Sequence, residues 1–272
     1  MPRLNFYICT GLVVGSILCA IARLPSVALP QGAFTAEEIM RLVNARPRGD
    51  ASSSRLKMVL HGEHGEYRKA IVREQRKFAT GYRTVYWITT PLHENGIGLF
   101  LSEDASQQGM WMYFPLPRQV VHVVSRGLPA LASDFSCQDL LVEVPLSDYD
   151  FRILGNEHAD GANIYRIEMK PKDERLSAEL GFSYAIGWIR DDIWMITKVD
   201  YLDESGTVFK TFSASGVEKV QGVWTAGQLL MENHRARHST EVLIDDIDYS
   251  AAFSDEAFTL ARFGRGFVPP SK

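Results

Sequence analysis

The chain has 272 residues, 46% of them hydrophobic and 23% charged, with a formal net charge of -4. That length can bury a substantial core. The acidic balance excludes a general nucleic-acid binder, which needs a basic footprint to release counterions.

The N-terminus reads Met1-Pro-Arg3 and then an almost unbroken apolar run from Leu4 to Ala22. A basic start, an apolar stretch and small residues behind it are the parts of a secretory signal. Two small-x-small sites offer cleavage, Ala20-Ile21-Ala22 and Ser26-Val27-Ala28. The second is preferred, because Pro25 would break the apolar helix ahead of the cut. Residues 1–28 are therefore read as a signal peptide and 29–272 as a single domain. The competing reading is an uncleaved inner-membrane anchor, since about 20 apolar residues can span a bilayer. Cys9 and Cys19 lie in the leader, so cleavage leaves Cys137 alone, without an intramolecular disulfide. Cys137 has no activating neighbour in sequence and reads as a buried, inert thiol.

Phe34 to Arg46 carries helix signals: a capping box at Thr35 and Glu38, a hydrophobic staple of Phe34 and Ile39, and an apolar face of Ile39, Leu42 and Val43. Pro47 stops it, and the polar stretch from Pro47 to Ser54 reads as a loop. From Arg55 the pattern changes to period two. Strands are expected at residues 56–60, 67–74, 82–89, 97–101, 110–114 and 120–125, separated by turn signals such as Asn95-Gly96 and Gln108-Gly109. Leu131 to Leu141 interrupts this pattern with a short helix after Ser136. Strands resume at 149–155, 163–169, 184–190, 194–202, 208–217, 223–232 and 240–249, and a last short helix capped by Ser254 carries Phe258 and Leu260. Many strands with local turns form a meander in one antiparallel sheet.

Catalytic signatures are scarce. Gly181-Phe-Ser183-Tyr-Ala185 approaches a nucleophile elbow, but Ala185 replaces the last glycine and the segment opens a hairpin rather than a strand-to-helix turn. His61 with His64, and His234 with His238, sit in polar turns that collect histidine freely, and Asp245, Asp246 and Asp248 read as a solvated strand end. No cofactor, metal or catalytic residue is assigned. The surplus is apolar surface. Met110-Trp-Met-Tyr-Phe114 is apolar on both faces of its strand, Tyr184, Ile186 and Trp188 share one face, and Leu229 and Met231 share another. A sheet with one solvated face alternates more cleanly, so both faces are expected to be covered.

The order of several segments adds to this reading: Gly96-Ile-Gly-Leu-Phe-Leu101, then Trp111-Met-Tyr-Phe-Pro115 with Arg118, then Ser133-Asp-Phe-Ser-Cys-Gln-Asp-Leu140. Tyr165-Arg-Ile-Glu-Met-Lys-Pro-Lys172 and Tyr201-Leu-Asp-Glu-Ser-Gly-Thr-Val-Phe-Lys210 follow, with Asn233, Thr240 and Phe258-Thr259 closing the series. This series resembles the LolA-like outer-membrane lipoprotein-sorting family, in its branch of periplasmic proteins, over about residues 35 to 263. The chain departs from that pattern at Gln119-Val-Val-His-Val-Val124, where more basic residues are expected, and at Ala132, where relatives tend to have glycine.

The resemblance implies a mainly β (α+β) fold, a half-open antiparallel β-barrel of about 11 strands with helices covering the concave face. It implies a periplasmic carrier that holds lipid or lipoprotein acyl chains in an apolar cavity. An inner-membrane exporter of the resistance-nodulation-division type is the expected partner, and transient membrane contact goes with that role. Phe100, Trp111, Tyr113, Tyr184, Trp188 and Met231 are the expected cavity residues, and the helix bearing Ile39, Leu42 and Val43 the expected lid. Two other readings stand beside it: an exporter adaptor that binds no lipid, and an envelope hydrolase using Ser183.

Overall fold

A computed structural model describes residues 34–159 and 161–268. The leader, its cleavage sites and Cys9 and Cys19 lie outside the described residues. From Phe34 onward the chain forms one compact unit.

The fold follows from two meanders running in opposite directions. The first comprises β1 (Ala51–Gly62), β2 (Gly65–Phe78), β3 (Gly81–Thr90), β4 (Gly98–Ser102), β5 (Gly109–Phe114) and β6 (Gln119–His122). The second comprises β7 (Tyr149–Ala159), β8 (Ala162–Pro171), β9 (Tyr184–Arg190), β10 (Met195–Leu202) and β11 (Val208–Ser215). A small ribbon, β12 (Glu218–Val220) with β13 (Val223–Thr225), comes before β14 (Gln228–Asn233) and β15 (His238–Asp248). β15 pairs antiparallel with β1 and joins the halves into a sheet ordered β6-β5-β4-β3-β2-β1-β15-β14-β11-β10-β9-β8-β7. The sheet has thirteen strands, two more than the resemblance implies, and it is not closed: β6 and β7 are its two edges. It is the half-open antiparallel barrel that the resemblance implies.

The two edge strands are consecutive in the chain. Residues 123–148 must therefore travel from one edge to the other, and they do so across the concave face. Ala130, Leu131, Phe135 and Cys137 from this segment are buried against Leu56, Met58, Ile71, Tyr86 and Leu99 of the first meander. Helix α1 (Ala36–Ala45) covers the other half, packing Ile39, Met40 and Val43 against Tyr149, Ile167, Met169 and Ile189. Burying each such side chain contributes about 1.5–3 kcal/mol. The capping box forms as the sequence predicts: Glu38 N–H donates to Thr35 Oγ1 at 3.2 Å, and Thr35 N–H donates to Glu38 Oε2 at 2.7 Å.

Three local expectations change. Ala51 to Ser54, read as loop, belong to β1, because the backbone pairs with Arg73 to Arg76 of β2 and with Ile247 and Asp248 of β15 whatever the weak strand preference of serine. A helix absent from the sequence reading, α2 (Glu174–Leu180), joins β8 to β9, with Asp173 accepting from the Leu176 N–H at 2.7 Å and Gly181 ending it in the left-handed region. The C-terminal turn is capped by Thr259 rather than Ser254. Its oxygen accepts from the Arg262 N–H and starts α3 (Leu260–Phe263).

Candidate functional site

The concave face encloses a cavity of about 370 Å³, within the range that holds small ligands. Alternation along the strands puts Leu56 and Met58, Ile71, Tyr86, Leu229, Phe212, Val199 and Met169 on its wall. The space persists because several inward positions carry small side chains, Ser52, Ser54, Ala185, Ala214 and Ala226. Ala185 is 1% exposed, so the backbone closes in without filling the gap. Leu131, Phe135 and Leu140 form its roof from the crossing segment, with Val43 of α1.

The roof is held by polar contacts rather than by apolar packing alone. Lys69, 4% exposed, donates to the Leu131 carbonyl at 2.7 Å and pairs with Glu94 at 3.0 Å. Asp134 accepts from the Thr240 hydroxyl at 2.7 Å, and its own N–H donates back to Thr240 Oγ1 at 3.0 Å. Asp139 accepts from Lys210 at 2.7 Å and from the Tyr201 hydroxyl at 2.6 Å, and burial pushes the Tyr201 phenol well above its ordinary pKa. Further along, Glu103 at the end of β4 accepts from the Val142 and Glu143 N–H groups at 2.8 and 2.9 Å. Asn44 of α1 makes a reciprocal pair with the Val144 backbone, at 2.8 and 2.9 Å. Burial is the main cause that lifts the Glu103 carboxyl to about 7; the two N–H donors act against it.

Part of the cavity lining is charged, with Asp139 and Glu143 on it as well as arginines. Arg46, Arg48 and Arg73 reach its lining beside Ser52, Ser54 and Gln75. Burial, and after it the charge of Arg48, brings Arg46 down to about 10.

The residues predicted from sequence divide between two faces. Met231 lies on the concave side, 0% exposed in the cluster packed under Leu131 and Phe135, without lining the cavity itself. Phe100, Trp111 and Tyr113 point to the convex side instead, where Phe258 and Phe263 seal them in. Trp188 is also convex, its ring beneath Lys198 at 4.2 Å, while its strand neighbours Gly187 and Ile189 face inward. Tyr184 shares the face of Trp188 and lies near Gly206. The physical reason is phase: on a strand apolar on both faces, side-chain chemistry does not say which face is concave, and one residue reverses the assignment. In α1, Ile39 and Val43 face the core, Val43 on the cavity wall. Leu42 turns to a second cavity of about 320 Å³ beside Trp194 and Trp224.

Sequence reasoning missed Ser52, Ser54, Arg73 and the roof contacts. A signal for the latter was present, since Asp134, Asp139, Tyr201, Lys210 and Thr240 all fall in the segments that carry the family resemblance. Cys137 is 2% exposed, and burial lifts its thiol to about 11, so it is inert at neutral pH. Ser183 follows α2 and opens β9, the reverse of a strand-to-helix elbow. Among the described residues no group of three His, Cys, Asp or Glu side chains could hold a metal ion.

An open antiparallel barrel roofed by a crossing segment and a helix is a fold this chain shares with solved structures of the lipoprotein-sorting and LolA superfamily kind. The chain belongs to the family of a model described as "Uncharacterized protein", which matches residues 81–265, more than half of the sequence. No curated protein matches the sequence. Among solved structures, a putative outer membrane lipoprotein-sorting protein domain from Vibrio parahaemolyticus is 20% identical with a TM-score of 0.77, covering 85% of this chain and 98% of that one. A DUF1329 family protein from Desulfovibrio piger is 22% identical with a TM-score of 0.74, covering 83% and 96%. A LolA superfamily protein from Nitrosomonas europaea is 18% identical with a TM-score of 0.66, covering 84% and 99%. At these identities the likeness is one of fold.

Proposed function

We propose that this protein is a periplasmic carrier that binds the acyl chains of a lipid or lipoprotein in its concave cavity and moves them across the cell envelope. The observation that carries this reading is the roofed apolar cavity itself. A core of this size ordinarily packs to crystal-like density, whereas here about 370 Å³ stays open beneath a segment fastened by breakable polar contacts. Each methylene entering it gains about 0.8 kcal/mol, so one chain can bind without any catalytic group. Among the described residues no helix is long and apolar enough to cross a membrane. The signal-like leader supports export.

Native mass spectrometry of protein isolated from its own envelope tests the proposal. Lipid-sized adducts, removed by detergent and restored by loading, are expected. Absence of adducts together with failure to load any acyl lipid would refute it. A second reading, an exporter adaptor that binds no lipid, has the edge strand β6 in its favour. Val120 and Val121 are exposed there, as is Val124 just beyond, and an unpaired apolar edge is a ready docking surface. It predicts a stable complex with the exporter that persists when the cavity is blocked.

A further inference from the structure

The charged part of the cavity lining has a chemistry that an apolar chain does not use. Arg46 and Arg48 enter it from the segment leaving α1, and Arg73 from β2. Ser54 stands directly opposite Arg73 across the β1–β2 pairing, and Ser52 opposite Gln75. The two serine side chains are 0% and 3% exposed, and neither hydroxyl has a hydrogen-bond partner. A buried hydroxyl without a partner is costly, and valine would suit a strand better at both positions.

The guanidinium groups are only partly satisfied. Arg48 donates to the Val43 carbonyl at 2.7 Å and also to that of Asn44, Arg46 to the Trp224 carbonyl at 3.2 Å, and Arg73 to the Gln75 side chain. All of these acceptors are neutral. The acidic groups that act on Arg48 are Glu143 and Glu103. Both Glu103 oxygens are engaged by the backbone of Val142 and Glu143, while Asp139, also on the lining, is taken by Lys210 and Tyr201. Three guanidinium groups thus face fewer free carboxylates, next to two unused donors. A site of this composition is completed by an anion with several acceptor oxygens.

We propose that the ligand is an anionic amphiphile whose carboxylate or phosphate head sits among Arg46, Arg48, Arg73, Ser52 and Ser54 while its hydrocarbon chain lies along the apolar wall. The proposal rests on the carrier reading and narrows it to charged lipids. Its test is calorimetric titration of the delipidated protein with four probes: dodecanoate, dodecyl phosphate, methyl dodecanoate and inorganic phosphate.

Both charged amphiphiles are expected to bind at least about tenfold more tightly than the ester, the worth of one charge-assisted hydrogen bond. Arg73→Gln and Ser54→Ala should each shrink that preference, read as the ratio of acid to ester binding within each variant. Equal binding of ester and acid overturns the head-group site but leaves the carrier reading standing. A preference that survives Arg73→Gln combined with Arg46→Gln overturns it as well. Inorganic phosphate bound as tightly as dodecyl phosphate would make the site one for a free anion and exclude the amphiphile. Binding of no probe at all removes the carrier reading and this proposal together.

Discussion

The two faces of the first meander are both apolar, yet only one of them is a site. On the convex face Trp87, Phe100, Tyr113 and Phe263 meet ring to ring, with Trp87 and Phe263 centroids 5.0 Å apart and Phe100 and Phe263 5.6 Å apart. A methyl group on Gly98 would fall 2.4 Å from the Trp87 ring, so nothing larger than glycine fits between strand and aromatic layer. On the concave face the packing is incomplete where the cavity lies, and the covering segment is fastened by lysine, aspartate and glutamate. Rings packed against rings therefore mark the structural face of this meander, whereas the binding face carries single rings such as Tyr86 among small residues and polar fastenings. Hydrophobicity locates buried surface; a cavity appears where packing is left incomplete.

The strongest way to break this comparison is to open the convex face. Phe263→Ala removes a ring that is 2% exposed and touches three aromatic neighbours, and is expected to cost about 3–5 kcal/mol in urea unfolding. Acyl-chain binding by the folded fraction should be unchanged. If binding falls in proportion to stability, the two faces are one cooperative site and the distinction fails.

The next largest effect is expected at the roof. Asp139→Ala strands Lys210 and Tyr201, which the aspartate now pairs at 2.7 and 2.6 Å in a buried setting. Removing one partner of a buried pair costs about 3 kcal/mol. Amide exchange should accelerate in residues 128–144 more than in the β7–β8 hairpin. Uniform acceleration across both would show that the crossing segment does not open by itself.

How far the sequence revealed this arrangement depends on what each residue reports. Strand positions were legible, because alternation and turn residues are local: Asn95-Gly96 and Ser205-Gly206 mark turns that the structure contains. The capping box of α1 was legible for the same reason. The choice of face was not, since Trp111 and Met112 are equally apolar and only the paths of distant segments, 123–148 and 255–267, decide which one each covers. Ser52 and Ser54 were hidden by their own chemistry: serine reads as loop, and its use as a small polar strand residue depends on Arg73 and Gln75 across the pairing. Asp134 and Asp139 stood in segments that carry the family resemblance, but sequence order alone does not say that they hold a roof.

A pH series sharpens the comparison further. Burial raises the Glu103 carboxyl from an unfolded value of 4.5 to about 7, so the folded state binds its proton more tightly than the unfolded chain does. The resulting stability is complete below pH 4.5 and is lost as pH rises through 7. Glu103→Gln keeps an acceptor for the Val142 or Glu143 N–H without the charge. It should unfold at higher urea than wild type at pH 8, by on the order of 1–2 kcal/mol once partial exposure is discounted. That advantage should shrink at pH 5 and vanish below pH 4.5. A difference between the two proteins that stays constant from pH 5 to 8 would remove Glu103 as the titrating group.

The smallest expected effect lies at Ala132. Its backbone φ is +52°, in the left-handed region that costs an L-residue about 1–2 kcal/mol, and its neighbour Leu131 sits at +51°. Leu131 is 2% exposed and packs into the cavity roof, so the strain there is held by burial. Ala132 is exposed and has no such compensation. Ala132→Gly relieves the strain but also loosens the unfolded chain, which offsets about half of the gain. A net stabilisation of about 0.5–1 kcal/mol is expected in urea unfolding, with slower amide exchange across residues 128–137. An unchanged midpoint would mean that the turn relaxes around alanine; a lower one would give the Ala132 methyl group a packing role, and the roof would then be held by apolar contact at that point as the convex face is.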